Sequence, residues 1–198
     1  MEITRLTLGV YQSNCYLLKK NNEVVIIDPG ANSLKISNHI HENETVLAIL
    51  LTHGHFDHIS AVDEVVDLYH CPVYVSEDEI EMITDPQKNY ALNKKSKVTS
   101  PTIHFQHELK LGSFHFIIHE TPGHSLGGVC IECEGHLFSG DTLFKGSVGR
   151  TDLYGSSTNQ LRQSLKYLKT LSPDLIIHPG HDASTTLEIE LKTNPYLK

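Results

Sequence analysis

The chain has 198 residues, 39% of them hydrophobic and 20% charged, with a formal net charge of −8. That length and balance suit one soluble globular domain with a sizeable core, and an acidic chain without a basic block is a poor partner for nucleic acid. No apolar run is long enough to span a bilayer, and residues 1–11 hold neither a continuous apolar segment nor a small-residue cleavage pattern, so no membrane partner is expected and the expected location is cytoplasmic.

Residues 3–10, 14–19 and 24–27 read as three short strands, the last two joined by Asn21-Asn22, a pair suited to a tight turn. Asp28-Pro29-Gly30 stops the third strand. Two readings are open there: a turn, for which the residues are well suited, and a carboxylate that orients ligand imidazoles beside a metal site. Asn32 or Ser33 caps a helix running to about residue 42, and residues 45–51 form a buried strand.

That strand delivers Thr52-His53-Gly54-His55-Phe56-Asp57-His58, which packs four potential metal ligands into six residues. Imidazole nitrogen and carboxylate oxygen are ligand types for zinc, iron(II) or manganese. A strand holds the following loop rigidly at the sheet edge. The alternation His53, His55, Asp57, with His58 adjacent, aims ligands in two directions, which suits two metals better than one. The alternative is a surface loop that is merely histidine-rich, in a chain with fourteen histidines.

His58 opens a helix with apolar spacing at Ile59, Val62, Val65, Val66 and Tyr69. Residues 73–75 form a short strand, and residues 77–83 a short helix with acidic residues in its first turn, ended by Asp85-Pro86. Residues 87–100 hold Lys88, Lys94, Lys95 and Lys97 and read either as a solvated loop or as a lid that meets an anionic acyl group. Strands follow at residues 102–106, 113–120, 129–133 and 136–139, then a helix marked by Leu161, Leu165, Leu168 and Leu171, a buried strand at 175–177 and a terminal helix at 185–191.

Three further strand ends carry His or Asp: Thr121-Pro122-Gly123-His124-Ser125, Ser139-Gly140-Asp141-Thr142 and His178-Pro179-Gly180-His181. His104, His107, His115, His119 and His136 fit alternating strand faces or turns, and none is assigned to metal. Cys130 and Cys133 stand three apart on a strand and so point to opposite faces, which gives them a structural role rather than a shared metal. The succession of elements suggests two similar halves, each a mixed sheet with helices on its outer face.

The pattern His-x-His-x-Asp-His, followed by a distant His, a distant Asp and a final His, resembles the metallo-beta-lactamase superfamily. The resemblance implies an α/β fold, an αββα four-layer sandwich of two mixed β-sheets flanked by helices, with residues 1–198 as a single domain. His58 directly after Asp57 is similar to the glyoxalase II group, which completes a second metal site that way, and disfavours an antibiotic-cleaving member. Gly140-Asp141-Thr142-Leu143-Phe144, the run from Gly146 to Asp152, and Thr185 to Glu190 with Asn194-Pro195-Tyr196 resemble the small glyoxalase II-like (hydroxyacylglutathione hydrolase-like) subgroup. Two departures leave the ligands untouched: Tyr154-Gly155-Ser156-Ser157 stands where the subgroup has Pro-Gly-Gly, and Asp182-Ala183 replaces Gly-Pro. Only seventeen residues follow His181, so no C-terminal helical glutathione-binding domain is expected.

By this resemblance one metal takes His53, His55 and His124, the other takes Asp57, His58 and His181, Asp141 bridges them, and Asp28 orients a ligand ring. Asp57 and Asp141 are the carboxylates assigned to catalysis. Two divalent ions are expected, zinc first, with iron or manganese as alternatives. A water shared by two such cations loses a proton near neutral pH and is a nucleophile already in place. The implied reaction is hydrolysis of a small-molecule acyl thioester, a 2-hydroxyacyl thioester in the glyoxalase II type. Arg150 is either a bidentate contact for a substrate carboxylate or a salt bridge to a residue such as Asp152. Other readings are a mononuclear-iron persulfide dioxygenase using two His and one Asp, a hydrolase of another ester or lactone, and a scaffold with a degenerate site. The thiol, the acyl group and the oligomeric state are not encoded in any motif.

Overall fold

Val24 to Ile27 and Ala48 to Leu51 are buried on both faces, so the strands that carry them must be covered on both sides. The structure is a computed structural model that describes residues 1–91 and 96–198. Lys94 and Lys95, half of the lysines of the proposed lid, lie outside the described residues.

The first sheet contains β1 (Glu2–Leu8), β2 (Ser13–Lys20), β3 (Glu23–Ile27), β4 (Thr45–Leu50), β5 (Val73–Val75) and β6 (Thr102–His104) in that order. The first three pair antiparallel and the rest parallel. Parallel neighbours need crossovers, and these are the helices α1 (Ser33–Ser37), α2 (Phe56–Ile59), α3 (Val62–Tyr69) and α4 (Ile80–Thr84). The second sheet is built from β7 (Glu108–Leu111), β8 (Phe114–Glu120), β9 (Val129–Cys133) and β10 (His136–Gly140), joined after the small hairpin β11 (Leu143–Phe144) and β12 (Ser147–Val148) by β13 (Ile176–Pro179) and β14 (Thr185–Thr186). Its order is β14-β13-β10-β9-β8-β7, with only β10 and β13 parallel. Two further helices, α5 (Thr158–Leu168) and α6 (Leu187–Thr193), follow, with short 3-10 turns at Glu77–Glu79 before α4 and at Pro195–Leu197.

Alternation along the strands sorts the apolar side chains into three layers. Val25, Ile27, Ala48 and Leu50 meet Phe114, Phe116, Ile131 and Phe138 between the sheets. Val24, Ile26, Ile49 and Leu51 face Ile36, Val62 and Val65 of the helices outside the first sheet. Cys130, Leu137 and Ile177 face Leu161, Leu165, Leu168 and Leu187 outside the second. The result is the αββα four-layer sandwich, and each fully buried aliphatic side chain in it is worth about 1.5–3 kcal/mol.

β3, β4, β8, β10 and β13 all run toward one edge, and there the sheets are stitched together. Asn14 N–H donates to the Gly180 carbonyl (2.7 Å), Val129 N–H to Thr52 (2.9 Å), and the Tyr16 hydroxyl to Pro179 (2.6 Å). This edge holds every strand end that carries a candidate ligand.

Several elements differ from the sequence reading for local reasons. The helix after Asn32 stops at Ser37, where the backbone tightens: His39 and Ile40 N–H bond the carbonyls of Ile36 and Ser37 three residues back, and Ile40 still packs on the core. The helix expected from His58 onward starts at Phe56 and breaks in two. Ser60 turns its hydroxyl onto the Phe56 carbonyl, and the Ala61 N–H leaves the helix to bond Pro29. Thr185 and Thr186 pair with β13 before the last helix, and the Thr186 side chain caps that helix by accepting from Ile189 N–H. Asn21 and Asn22 have φ of 54° and 61°, the conformation of a two-residue hairpin turn. No helix of the described residues is long and apolar enough to cross a membrane.

Cys130 packs outside the second sheet and Cys133 between the sheets, and burial raises both thiols to about 11. Replacing both with Ala is expected to leave metal content unchanged, as read by elemental analysis, while lowering unfolding free energy by roughly 0.5–3 kcal/mol. Loss of one bound metal ion on the double replacement would contradict their placement on opposite faces.

Candidate metal centre

The loop after β4 leaves the sheet at Thr52 and turns at Gly54, so His53 and His55 project side by side while the short α2 carries Asp57 and His58 to their far side. His124 arrives on the loop after β8, Asp141 just beyond β10 and His181 just beyond β13. One ligand atom each from His53, His55 and His124 lie within 4.8 Å of one another, and so do those of Asp57, His58 and His181. Asp141 stands between the two groups: Oδ1 is 3.5 Å from His58 Nε2, while Oδ2 is 3.5 Å from His124 Nε2 and 3.6 Å from His181 Nε2. His181 Nε2 lies 3.2 Å from Asp57 Oδ2.

These separations are ligand-edge distances. Metal–nitrogen bonds of about 2.0–2.1 Å in a tetrahedron place neighbouring donors roughly 3.3 Å apart. Moreover, His53 Nε2, His55 Nε2, His58 Nε2 and Asp141 Oδ1 are buried with no hydrogen-bond partner. His55 meets the other ligands through Nδ1, 2.9 Å from His124 Nε2, whereas the orphaned atoms of His53, His58 and Asp141 are costly unless a cation satisfies them. The donor set therefore fits two divalent ions.

Asp28 sits behind the centre with φ of 51°. Its Oδ1 accepts from Thr52 N–H (2.8 Å), and its Oδ2 accepts from the Thr52 hydroxyl (2.6 Å) and from His58 Nδ1 (3.1 Å). His58 thereby presents Nε2 inward. Although Asp28 also falls within reach of His53 and His58 as a ligand group, both of its oxygens are engaged, so it holds a ring in place rather than adding a ligand. His124 is oriented likewise: its Nδ1 donates to the Arg150 carbonyl (2.9 Å).

Charge follows the same division. Burial drives His53 well below the usual imidazole range and His55 to about 3, with the neighbouring histidines adding to the effect. Burial acts the same way on His58, but Asp57, Asp141 and Asp28 outweigh it and raise that ring to about 10. His181 is also raised, since its bond to Asp57 and the charge of Asp141 exceed the effect of burial. His53 and His55 are thus neutral and ready for a metal. The other has an excess of negative charge that a proton answers when no metal does.

Sequence reasoning missed two residues that build this site. Thr52 fixes Asp28 with both its amide and its hydroxyl. Glu79, fully buried, accepts from Gly54 N–H (2.6 Å) and Gly127 N–H (2.7 Å), tying the His53–His55 turn to the loop behind His124. No local signal marks Glu79, which reads as an ordinary acidic residue in a helical first turn. Gly180 was quoted only as part of a motif; a Cβ there would stand 2.2 Å from Asp141 Oδ1 and 2.7 Å from His58 Cε1, so only glycine fits.

At the mouth, Tyr11, Phe56, Tyr90 and Leu153 wall a cleft of about 320 Å³ above His55, Asp57, His124 and Asp141. Tyr90, with φ of 64°, accepts from Tyr154 N–H (2.6 Å) across the opening, and Asn89 anchors its segment by accepting from Phe56 N–H (3.0 Å). Arg150 reaches the rim, where Asp152 accepts two hydrogen bonds from it at 2.6 and 2.7 Å. Of its two sequence readings, the salt bridge is present, and both partners are exposed enough to exchange. His104, His107, His115, His119 and His136 lie elsewhere.

The model of the metallo-beta-lactamase superfamily matches residues 8–181. The probable metallo-hydrolase YqgX of Bacillus subtilis is 37% identical over 206 residues, covering 100% of this chain and 98% of that protein. The crystal structure of BLEG-1, a B3 metallo-beta-lactamase, is 38% identical with a TM-score of 0.93 and 100% of both chains covered. That of TTHA1623 in a di-iron-bound form is 37% identical with a TM-score of 0.87, covering 98% of this chain and 100% of that one.

Because only a neutral ring binds metal and His58 is protonated below about 10, metal uptake at pH 7 is expected to expel at least about one proton per chain, and affinity is expected to climb with pH. Calorimetric titration in buffers of different ionisation enthalpy measures this directly. A binding enthalpy independent of buffer would contradict it. Asp28→Asn is expected to lower metal affinity roughly 10–100-fold, read by competition with a chelating dye.

Proposed function

The chain belongs to the metallo-beta-lactamase superfamily, and from that premise we propose that it is a hydrolase with a dinuclear metal centre that cleaves small-molecule acyl thioesters, 2-hydroxyacyl thioesters first among them. The observation that carries the two-metal reading is the position of Asp141 between the ligand groups, its Oδ2 3.5 Å from His124 Nε2 of one and 3.6 Å from His181 Nε2 of the other. His53, His55 and His124 would hold one ion, Asp57, His58 and His181 the other, with zinc or iron as the metal. Bound there, the ions supply a water activated at neutral pH and a Lewis acid for the developing oxyanion.

The chain's own residues narrow the bond that is cleaved. Apart from the ligands themselves, the groups lining the cleft are Tyr11, Phe56, Asn89, Tyr90, Arg150 and Leu153. None is a carboxylic acid or imidazole able to protonate a leaving group near pH 7. A thiolate departs without that help, whereas an amine or alkoxide does not. Asp28 and the Arg150 carbonyl keep the His58 and His124 rings from turning, and the aromatic wall offers the acyl side an apolar surface.

Hydrolysis of a β-lactam is the second reading, favoured by the likeness to BLEG-1 and opposed by the lack of such a proton donor among the described residues that line the cleft. Elemental analysis of the purified protein is expected to give about two ions per chain, and Asp141→Asn to weaken both together, with kcat on lactoyl-glutathione falling at least about a hundredfold, roughly 2.7 kcal/mol. Turnover of that thioester is compared with that of a chromogenic cephalosporin and with oxygen uptake on a glutathione persulfide. Faster cephalosporin cleavage would favour the second reading. One iron per chain with oxygen uptake would replace both with a dioxygenase.

A further inference from the structure

A second cavity, of about 590 Å³, lies beside the metal cleft, and Arg150 lines both. Gly149 lines the second cavity, and a Cβ on it would stand 1.9 Å from the Asp141 carbonyl oxygen and 2.9 Å from His124 Nδ1. A substrate whose carbonyl sits at the metal ligands can therefore pass its remainder over Arg150 into this space.

The cavity's chemistry differs from that of the cleft. It is bounded by Arg150, Thr151, Thr158, Arg162 and Tyr196 together with apolar side chains of α5 such as Leu161. Among the described residues no carboxylate lines it, in a chain with 24 acidic and 16 basic residues. Arg162, exposed on α5, has no ion-pair or hydrogen-bond partner among the described residues, whereas Arg150 is engaged by Asp152. An unpaired guanidinium over an apolar floor, next to hydroxyl donors, is chemistry for a chain that ends in an anion.

Resting on the thioesterase reading, we propose that this cavity binds the anionic tail of the thiol carrier, a carboxylate or a phosphate, and that Arg162 is the specificity-determining residue for it. The acyl group then occupies the aromatic-walled cleft of Tyr11, Phe56 and Tyr90, and the thiol leaves along Arg150.

The test compares one acyl group on three thiols in the metal-loaded full chain: glutathione, which ends in carboxylates, coenzyme A, which carries phosphates, and N-acetylcysteamine, which has no charge. Arg162→Glu is expected to reduce the ratio of kcat/KM for an anionic over the neutral thioester at least about tenfold, chiefly through KM. Lys110→Glu makes the same charge change on β7, outside the cavity and on another element, and is expected to leave the ratio within about twofold. The anion whose ratio falls further, carboxylate or phosphate, names the carrier. An unchanged ratio in Arg162→Glu, or an equal fall in Lys110→Glu, overturns the proposal. Calorimetric binding of free reduced glutathione and of coenzyme A to the metal-free protein is read in parallel. Binding lost in Arg162→Glu, with no thioester turned over by any form, would uphold the cavity and sink the thioesterase reading. Turnover with no effect of Arg162→Glu would do the reverse.

Discussion

Three carboxylates converge on one buried imidazole: Asp28, Asp57 and Asp141 approach the two ring nitrogens of His58 at 3.1, 3.7 and 3.5 Å. Negative groups collected out of water repel one another strongly, because the low local dielectric screens them poorly. Only positive charge in their midst makes the arrangement tolerable. The fold is shaped around supplying it, with a proton on His58 in the absence of metal and a divalent cation when metal is present.

Holding such a centre requires stiffness at the sheet edge, where strand ends otherwise fray. The structure obtains it by cross-bonding the loops to backbone of the other sheet or of another ligand loop. Asn14 reaches from β2 to the carbonyls of Pro179 and Asp182, so the His181 turn is pinned from the first sheet. Glu79 joins the His53–His55 turn to the His124 loop through two amides and keeps its carboxylate fully buried without a cation. Burial raises Glu79 above the usual carboxylate range, and the two amide donors act against that rise. A neutral amide side chain would offer only one oxygen, so the second loop would lose its acceptor.

What could be read in the sequence was local or periodic. The candidate ligands stand at strand ends punctuated by Gly and Pro, and period-two alternation put Cys130 and Cys133 on opposite faces. What could not be read depends on partners remote in the chain. Glu79 bonds amides 25 and 48 residues away, and Asp63 ties down Thr99 and Ser100 from 36 and 37 residues away. The hairpin of β11 and β12 has two residues per strand, too few to show any period. α1 is shorter than its apolar spacing suggests for a related reason: Ile36 and Ile40 both pack on the core, but nothing local in the sequence shows that Ile40 reaches it from an i→i+3 turn rather than from the helix.

The centre and the surfaces around it are under different constraints. Ligands on strand ends, with Gly180 and Gly149 pressed against Asp141 and His124, admit almost no change of side-chain volume. The mouth is lined instead by loop residues from three segments, among them Tyr11, Tyr90 and Leu153, whose side chains stand at the surface. Altering one of those changes what fits beside the metals without moving a ligand. Arg150 belongs to both regimes. Its carbonyl accepts from His124 Nδ1 and is fixed, while its guanidinium is free to leave Asp152 for a substrate anion. Backbone of one residue thus serves the metal centre while its side chain serves recognition, so substitutions there separate the two: any residue that keeps the backbone in place preserves the His124 contact and changes only what the guanidinium would bind.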